Sequence, residues 1–236
     1  MSANANVLRR SAVIGSSARD TAMPLVEAAC EKNTWDPEDF ARQQIRGLVR
    51  RVFFAGGARA VKQVVFSAVE AHIDVASICE QAAQALALET HSHVALVDPK
   101  PEMAKNTHCH LHSRGTASIK SWSTQMAVNL WRVPERGLGE CGEESGTGLH
   151  WLSCLAELRN EFEYVVIPGP AAGISSEAAL LGQLTDGIIL VLGAHSTRRA
   201  AALKIKETLE GAQSRILGTV LSERTFPIPE RVYRRL

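Results

Sequence analysis

The chain has 236 residues, enough for one large domain with a sizeable hydrophobic core. Its formal net charge is +1, with 26 basic against 25 acidic residues, so charge gives no reason to expect nucleic acid as a partner. Five scattered cysteines without a CxxC pair argue against a disulfide framework. The cysteines therefore favour a reducing compartment. No apolar stretch approaches the roughly 20 residues of a membrane span, so we expect a cytoplasmic protein.

The first 36 residues lack sustained periodicity and predict a partly disordered N-terminal extension, followed by an α/β domain over 37–236. Hydrophobic periodicity, proline and glycine then mark the boundaries of each element. In chain order, the first predicted elements are a helix from Pro37 to the glycines at 56–57, a strand at 63–67, an alanine-rich helix at 74–88 and a strand at 93–98.

The second half of the domain begins with an irregular segment. Residues 99–148 are rich in His, Ser and Gly, and predict a long surface insertion with one short strand at 129–131. The remaining predicted elements are a helix at 149–162, a strand at 164–167, a helix at 175–184, a strand at 187–192, a helix at 197–210 and a strand at 215–221. Cys79 and Cys154 fall on predicted helices as small core residues.

Continuous apolar strands that alternate with helices are typical of a parallel sheet covered on both faces. We therefore predict a three-layer α/β/α domain with a doubly wound, mostly parallel sheet. Ligands of such sheets bind at the carboxyl ends of the strands. Functional residues are accordingly expected after Ser67, Asp98, Pro168 and Leu221.

Several segments resemble, in the same order, the motifs of known nucleotide-binding proteins. Residues 164–170, YVVIPGP, are similar to the third strand of MinD-like proteins, usually written YVIIDTPP. Residues 176–191 resemble the SDALLLAPLVDGVLLVV run of CpsD/CapB-type tyrosine kinases of polysaccharide export, and residues 129–134 resemble their NLWVLPAG segment. The resemblance covers about residues 38–236 and implies the P-loop NTPase fold in its MinD-like form.

The resemblance also implies a phosphate loop after the first strand, where a GxxxxGK[ST] sequence wraps a triphosphate. In this chain the corresponding turn contains no glycine and no lysine. Its residues are Ala68, Val69, Glu70, Ala71, His72, Ile73, Asp74, Val75 and Ala76. Asp74 stands where a helix N-cap is expected, so we predict a degenerate phosphate loop in which its carboxylate takes the place of the anion.

The magnesium-binding positions of the family are also incomplete. Pro168 stands where the third strand of relatives ends in aspartate, whereas Asp98 matches the first aspartate of their VDADLR motif. Without a second aspartate or a hydroxyl nearby, we expect a structural role for Asp98. Ser222 replaces an asparagine that relatives often place against adenine. We therefore expect no cofactor, with ATP and Mg²⁺ as the cofactors if nucleotide binding survives in a non-standard form.

A histidine cluster in the predicted insertion offers an alternative kind of site. In an extended segment His108, His110 and His112 would project from one face, as ligands of a metal ion would. The same three residues are also consistent with adventitious metal pickup or with a solvated loop.

Two further features suggest interaction surfaces. Arg42, Arg46 and Arg50 lie on the first predicted helix, where kinase relatives carry an ExxRxxR pattern that mediates subunit contacts. A solvated basic face of an amphipathic helix explains these arginines equally well. Tyr233 stands near the C-terminus, where active relatives carry a cluster of tyrosines, and could be a substrate for another kinase.

The leading hypothesis is a pseudo-enzyme of the CpsD/CapB type that acts as a scaffold or regulatory partner in capsular or exopolysaccharide biosynthesis and export. Its partner would be a membrane polysaccharide co-polymerase or a kinase paralogue, which would bring it to the inner face of the membrane, and homo-oligomers are compatible with the resemblance. One alternative is an active tyrosine kinase or ATPase with non-standard nucleotide binding. Another is a metal-responsive regulator that uses the histidine cluster.

Overall fold

The computed structural model describes residues 37–56, 60–98, 118–134 and 148–223. Every helix and strand predicted within these ranges is present, and most of their boundaries lie within two residues of the prediction. The helices are α1 (Pro37–Phe53), α2 (Val75–Glu89), α3 (Gly148–Glu161), α4 (Glu177–Leu184) and α5 (Arg199–Gly211), and a single 3₁₀ turn spans Ile119–Ser121. The strands are β1 (Gln63–Ala68), β2 (Val94–Asp98), β3 (Thr124–Ala127), β4 (Leu130–Pro134), β5 (Tyr164–Pro168), β6 (Gly187–Gly193) and β7 (Ile216–Ser222).

The strands form one seven-stranded sheet in the order β3-β4-β2-β5-β1-β6-β7. All neighbouring strands are parallel except β3 and β4, which form an antiparallel hairpin at one edge. Strand β1 lies near the centre, between β5 and β6. The turn that leaves the carboxyl end of β1 is therefore surrounded by the ends of neighbouring strands, which is the position expected for a ligand site in an open α/β sheet.

Alternating side chains of the strands build two hydrophobic cores, one on each face of the sheet. On one face Val64, Phe66 and Val166 pack with α1 and α2, and on the other Val65, Val165 and neighbouring residues pack with α3, α4 and α5. Because both faces are buried, the central strands consist almost entirely of apolar residues. The predicted three-layer α/β/α architecture is confirmed.

The hairpin at the sheet edge differs from the prediction of one short strand at 129–131. Two strands are present, and β4 pairs in parallel with β2 as an integral part of the sheet. Asn129 fixes the hairpin, because its side-chain amide donates to the carbonyls of Ala87, Thr90 and Ser92 at 2.8, 2.9 and 3.2 Å. Strand β3 was missed because three of its four residues are exposed and give no hydrophobic periodicity.

A buried carboxylate joins the amino ends of β1 and β6. Asp186 accepts hydrogen bonds from the backbone N–H groups of Lys62 and Gln63, both at 2.9 Å, and its other oxygen is 3.2 Å from the Arg159 guanidinium. Burial alone would raise the pKa of Asp186, but the two N–H donors and Arg159 outweigh it and lower the pKa below the usual value. The Gln63 side chain completes the network by donating to the Leu155 carbonyl at 2.8 Å.

Several predictions concern residues outside those described. The N-terminal extension (1–36), two parts of the predicted insertion (99–117 and 135–147) and the tail from 224 onward all lie there. Among the helices of the described ranges, none is both long and apolar enough to cross a bilayer.

Candidate functional site at the carboxyl ends of the strands

The turn between β1 and α2 ends in a capped helix. Asp74 is the N-cap of α2, and its Oδ1 accepts the backbone N–H of Ser77 at 3.2 Å. A carboxylate in this position satisfies a donor of the first helical turn and interacts favourably with the positive end of the helix dipole. The sequence-based prediction of an N-cap at Asp74 is thus confirmed, and a first-turn N–H of α2 already has an anionic acceptor within the chain.

The backbone of this turn forms hydrogen bonds within the protein. The N–H of Val69 donates to the Val191 carbonyl at 3.1 Å, and that of Ile73 donates to the Glu70 carbonyl at 3.4 Å. The carboxylate of Glu70 accepts the Thr197 hydroxyl at 3.2 Å. These bonds join the turn to β6 and to the segment before α5. The amides of Val69 and Ile73 already donate to carbonyls of the protein, so they do not point together at a bound anion.

The loop after β5 packs directly against the same turn. The N–H of Gly169 donates to the Phe66 carbonyl at 2.7 Å, and the N–H of Ala172 donates to the Ala68 carbonyl at 2.8 Å. At Gly173 the approach is so close that an added Cβ would lie 2.3 Å from the Val69 carbonyl oxygen. The two loops form one packed unit at the carboxyl end of β1.

These residues do not fit a triphosphate. The turn lacks the bare backbone of glycine and the lysine that would neutralise the phosphates, and it carries the carboxylates of Glu70 and Asp74. A phosphate oxygen about 4 Å from one carboxylate would be repelled by roughly 4 kcal/mol at an effective dielectric of about 20, which is about a thousandfold in affinity.

Asp98 lies at the end of β2 beside a basic side chain. The Nε of Arg132, on β4, is 3.8 Å from an Asp98 carboxylate oxygen, and its terminal nitrogen is 3.3 Å from Glu80 on α2. The guanidinium therefore lies between two carboxylates from neighbouring elements and supplies a positive charge next to Asp98. Arg132 was not singled out from sequence, although a charged residue within the apolar strand LWRVP is an unusual feature.

A cavity of about 230 Å³ opens beside these strand ends. The first turn of α2, the ends of β2 and β5, and helices α3 and α4 surround it. Its lining residues are Val75, Ala76, Val97, Trp151, Ile167, Pro168, Gly169, Pro170, Glu177 and Leu181. Pro168, which replaces the expected aspartate, thus contributes apolar surface to this cavity. Trp151 and Glu177 were missed at the sequence level because they lie on different helices and meet only in the folded chain.

The remaining predicted residues are dispersed. Ser222 ends β7, where its carbonyl accepts the N–H of Ala194 at 2.9 Å. Tyr233 and the histidines at 108, 110 and 112 lie outside the described residues. Among the residues within them, no group of three or more His, Cys, Asp or Glu side chains is arranged to hold a metal ion. Cys79 and Cys154 are buried, as predicted.

The arginines of α1 are partly engaged within the chain. Arg50 makes a bidentate ion pair with Glu89 at the end of α2, with distances of 3.0 and 2.8 Å, and Arg42 lies 3.1 Å from Asp39. The hydrogen bond with Glu89 raises the pKa of Arg50, and the hydrogen bond with Arg50 lowers the pKa of Glu89. Arg50 therefore connects α1 to α2. Arg46 is exposed, and its predicted role in subunit contacts stays a prediction.

Comparisons with known proteins agree with this architecture. The kinase domain of VpsO superposes with a TM-score of 0.56 at 19% identity, covering 80% of this chain and 98% of that one. The MinD cell division protein of Aquifex aeolicus gives a TM-score of 0.53 at 15% identity, covering 74% and 73% of the two chains. The fold is therefore that of the ParA/MinD-like P-loop NTPases.

Part of the amino-acid sequence is also similar to bacterial tyrosine kinases. The tyrosine-protein kinase CpsD of Streptococcus agalactiae serotype III (strain NEM316) is 35% identical over 66 residues. That match spans 28% of this chain and 28% of the kinase. No family model matches the chain. The chain thus has the ParA/MinD-like fold and, over these 66 residues, sequence similarity to a CpsD-type tyrosine kinase, as its sequence predicted.

Proposed function

We propose that this chain is a catalytically silent relative of the CpsD/CapB-type tyrosine kinases. It acts as a scaffold or regulatory partner in capsular or exopolysaccharide biosynthesis and export. The observation that carries the proposal is the turn after β1, where the Asp74 carboxylate caps α2 and neither a glycine nor a lysine is present. Similarity to kinases of this type supports the connection with polysaccharide export at the level of the family.

The expected partner is another protein. A membrane polysaccharide co-polymerase or an active kinase paralogue would recruit the chain to the inner face of the membrane. A near-neutral charge balance gives no support to a nucleic-acid partner. A scaffold presents surfaces to its partner and does not need to hydrolyse ATP. The absence of phosphate-binding residues is therefore compatible with this function.

Isothermal titration of the folded chain with ATP and Mg²⁺ tests the catalytic part of the proposal. We expect no saturable heat at ATP concentrations up to the millimolar range, because the turn lacks a phosphate-neutralising cation. Micromolar binding, or an ATP turnover abolished by Asp98→Asn, would refute it and favour the active-kinase alternative.

A complementation experiment tests the scaffold part. Cells that lack this chain should lose or alter their surface polysaccharide. The Asp98→Asn variant should restore the polymer as fully as the unchanged protein does, since Asp98 has no nucleotide-dependent role in the proposed function. Failure of this variant to restore the polymer, at equal protein abundance, would contradict a scaffold function.

A further inference from the structure

The cavity beside the strand ends has the size of a single long side chain. Its volume of about 230 Å³ is below the roughly 300–1,000 Å³ of pockets that hold drug-sized ligands. Most of its wall is aliphatic and proline surface, including Val75, Val97 and Leu181. Such a wall suits an extended hydrocarbon stem better than a nucleotide with its charged phosphates.

One carboxylate and one indole give this apolar cavity a polar end. Glu177 and Trp151 both line it, and the Trp151 Nε1–H donates to the Glu177 carboxylate at 3.1 Å. Glu177 is the only charged residue among the described lining residues, and it makes no ion pair with the side chains described at 39–56, 60–98, 118–134 and 151–223. The bond from Trp151 uses part of the carboxylate's capacity and holds it beside the aromatic ring.

A guanidinium group matches this arrangement. It carries a positive charge and donors in a planar fork, which suits a carboxylate, and it stacks favourably on aromatic rings. The three-carbon stem of arginine can lie along aliphatic walls while the charged end reaches the carboxylate. A phosphate or carboxylate ligand would instead meet the negative charge of Glu177.

We propose that this cavity binds an arginine side chain presented by a partner protein. Glu177 pairs with the guanidinium, Trp151 contacts it through its indole ring, and the apolar walls hold the stem. The proposal rests on the scaffold function above and specifies the chemistry of the partner's contact. It places that contact beside the turn where relatives of this fold bind nucleotide.

Titration with side-chain mimics tests the proposal on the full chain. With ¹⁵N-labelled tryptophan, the Trp151 indole resonance is assigned by its loss in Trp151→Phe, and n-propylguanidinium is then added. We expect a saturable shift of that resonance. The neutral isostere n-propylurea and the anion n-butyrate should give less than a tenth of the shift at equal concentration.

Two matched variants separate the cavity from general charge effects. Glu177→Gln should weaken n-propylguanidinium binding by about fivefold, the effect expected for an ion pair at an exposed carboxylate, whereas Glu207→Gln, an exposed change of the same kind on α5, should leave it unchanged. Absence of a saturable shift, an equal response to n-propylurea, or an unchanged affinity in Glu177→Gln would overturn the proposal. Binding of ATP would refute the silent-kinase function instead, so failure of the two proposals can be told apart.

Discussion

At the scale of single residues, Asp74 and Asp186 show two contrasting uses of a carboxylate. Asp74 is exposed and caps the N-terminus of α2. Asp186 is buried and accepts two backbone N–H groups at the opposite end of the sheet. Both carboxylates satisfy amides that would otherwise lack a partner, so each is explained by structure without any reference to catalysis.

Replacing Asp74 tests its role as a cap. We expect Asp74→Ala to lower the free energy of unfolding by about 1 kcal/mol, because the Ser77 amide loses its acceptor. Asp74→Asn should cost much less, since asparagine caps helices nearly as well. Urea unfolding monitored by circular dichroism provides the measurement. Equal losses in the two variants would contradict the capping role.

The buried carboxylate predicts a pH dependence of stability. Because the pKa of Asp186 is lowered in the folded chain, its stabilisation is fully present above the unfolded-state pKa of about 3.9 and is lost as the pH falls through the folded-state pKa. We expect Asp186→Asn to cost about 2 kcal/mol at pH 7, a moderate value because Arg159 is partly exposed. The difference from the unchanged chain should be constant above about pH 5 and shrink below about pH 4.

Unfolding by denaturant between pH 3 and pH 7 measures this difference. Glu163→Gln serves as the control, since Glu163 forms a surface ion pair with Lys62 and should contribute at most about 1 kcal/mol. A pH-independent cost of Asp186→Asn across the whole range would contradict a lowered pKa.

At the scale of elements, the close contact between the turn after β1 and the loop after β5 depends on Gly173. An added Cβ would lie 2.3 Å from the Val69 carbonyl oxygen, so one of the two loops must move. We expect Gly173→Ala to lower the free energy of unfolding by about 1–3 kcal/mol, as overpacking does. The measurement is again equilibrium unfolding in denaturant.

A matched glycine provides the control for that change. At Gly47, within α1, no atom other than the neighbouring residues and backbone of the helix itself lies within 4 Å of an added Cβ. We expect Gly47→Ala to stabilise the chain by up to about 1 kcal/mol, through the higher helix propensity of alanine. A neutral effect at Gly173 would mean that the two loops are not held against each other.

The elements also show what sequence could and could not predict. The central strands and the helices followed from long apolar runs and 3.6-residue periodicity, and the cap at Asp74 followed from its place before an alanine-rich helix. Strand β3 could not be predicted, because none of its residues is buried and it therefore lacks the alternation of apolar and polar residues that marks a strand. The pairings of Arg132 with Asp98 and of Trp151 with Glu177 depend on which strands and helices become neighbours, and strand order is not encoded in local pattern.

At the scale of the whole molecule, the described residues form the ParA/MinD-like sheet, and the turn after β1 carries neither glycine nor lysine. Both faces of the sheet bury a hydrophobic core, and the sheet order brings β1 between β5 and β6. The carboxyl edge carries a hydrogen-bonded turn after β1 and a small apolar cavity next to it. We infer that the fold has been kept for recognition of a protein.

The central claim is that the turn after β1 cannot enclose a triphosphate. Its most direct test is a titration with MgATP, followed by amide NMR of Val69 to Ala76. If the turn cannot enclose a triphosphate, these eight amides should keep their chemical shifts at millimolar MgATP, apart from small non-saturable changes that inorganic phosphate also causes. Saturable shifts confined to this turn, with a dissociation constant in the micromolar range, would contradict it.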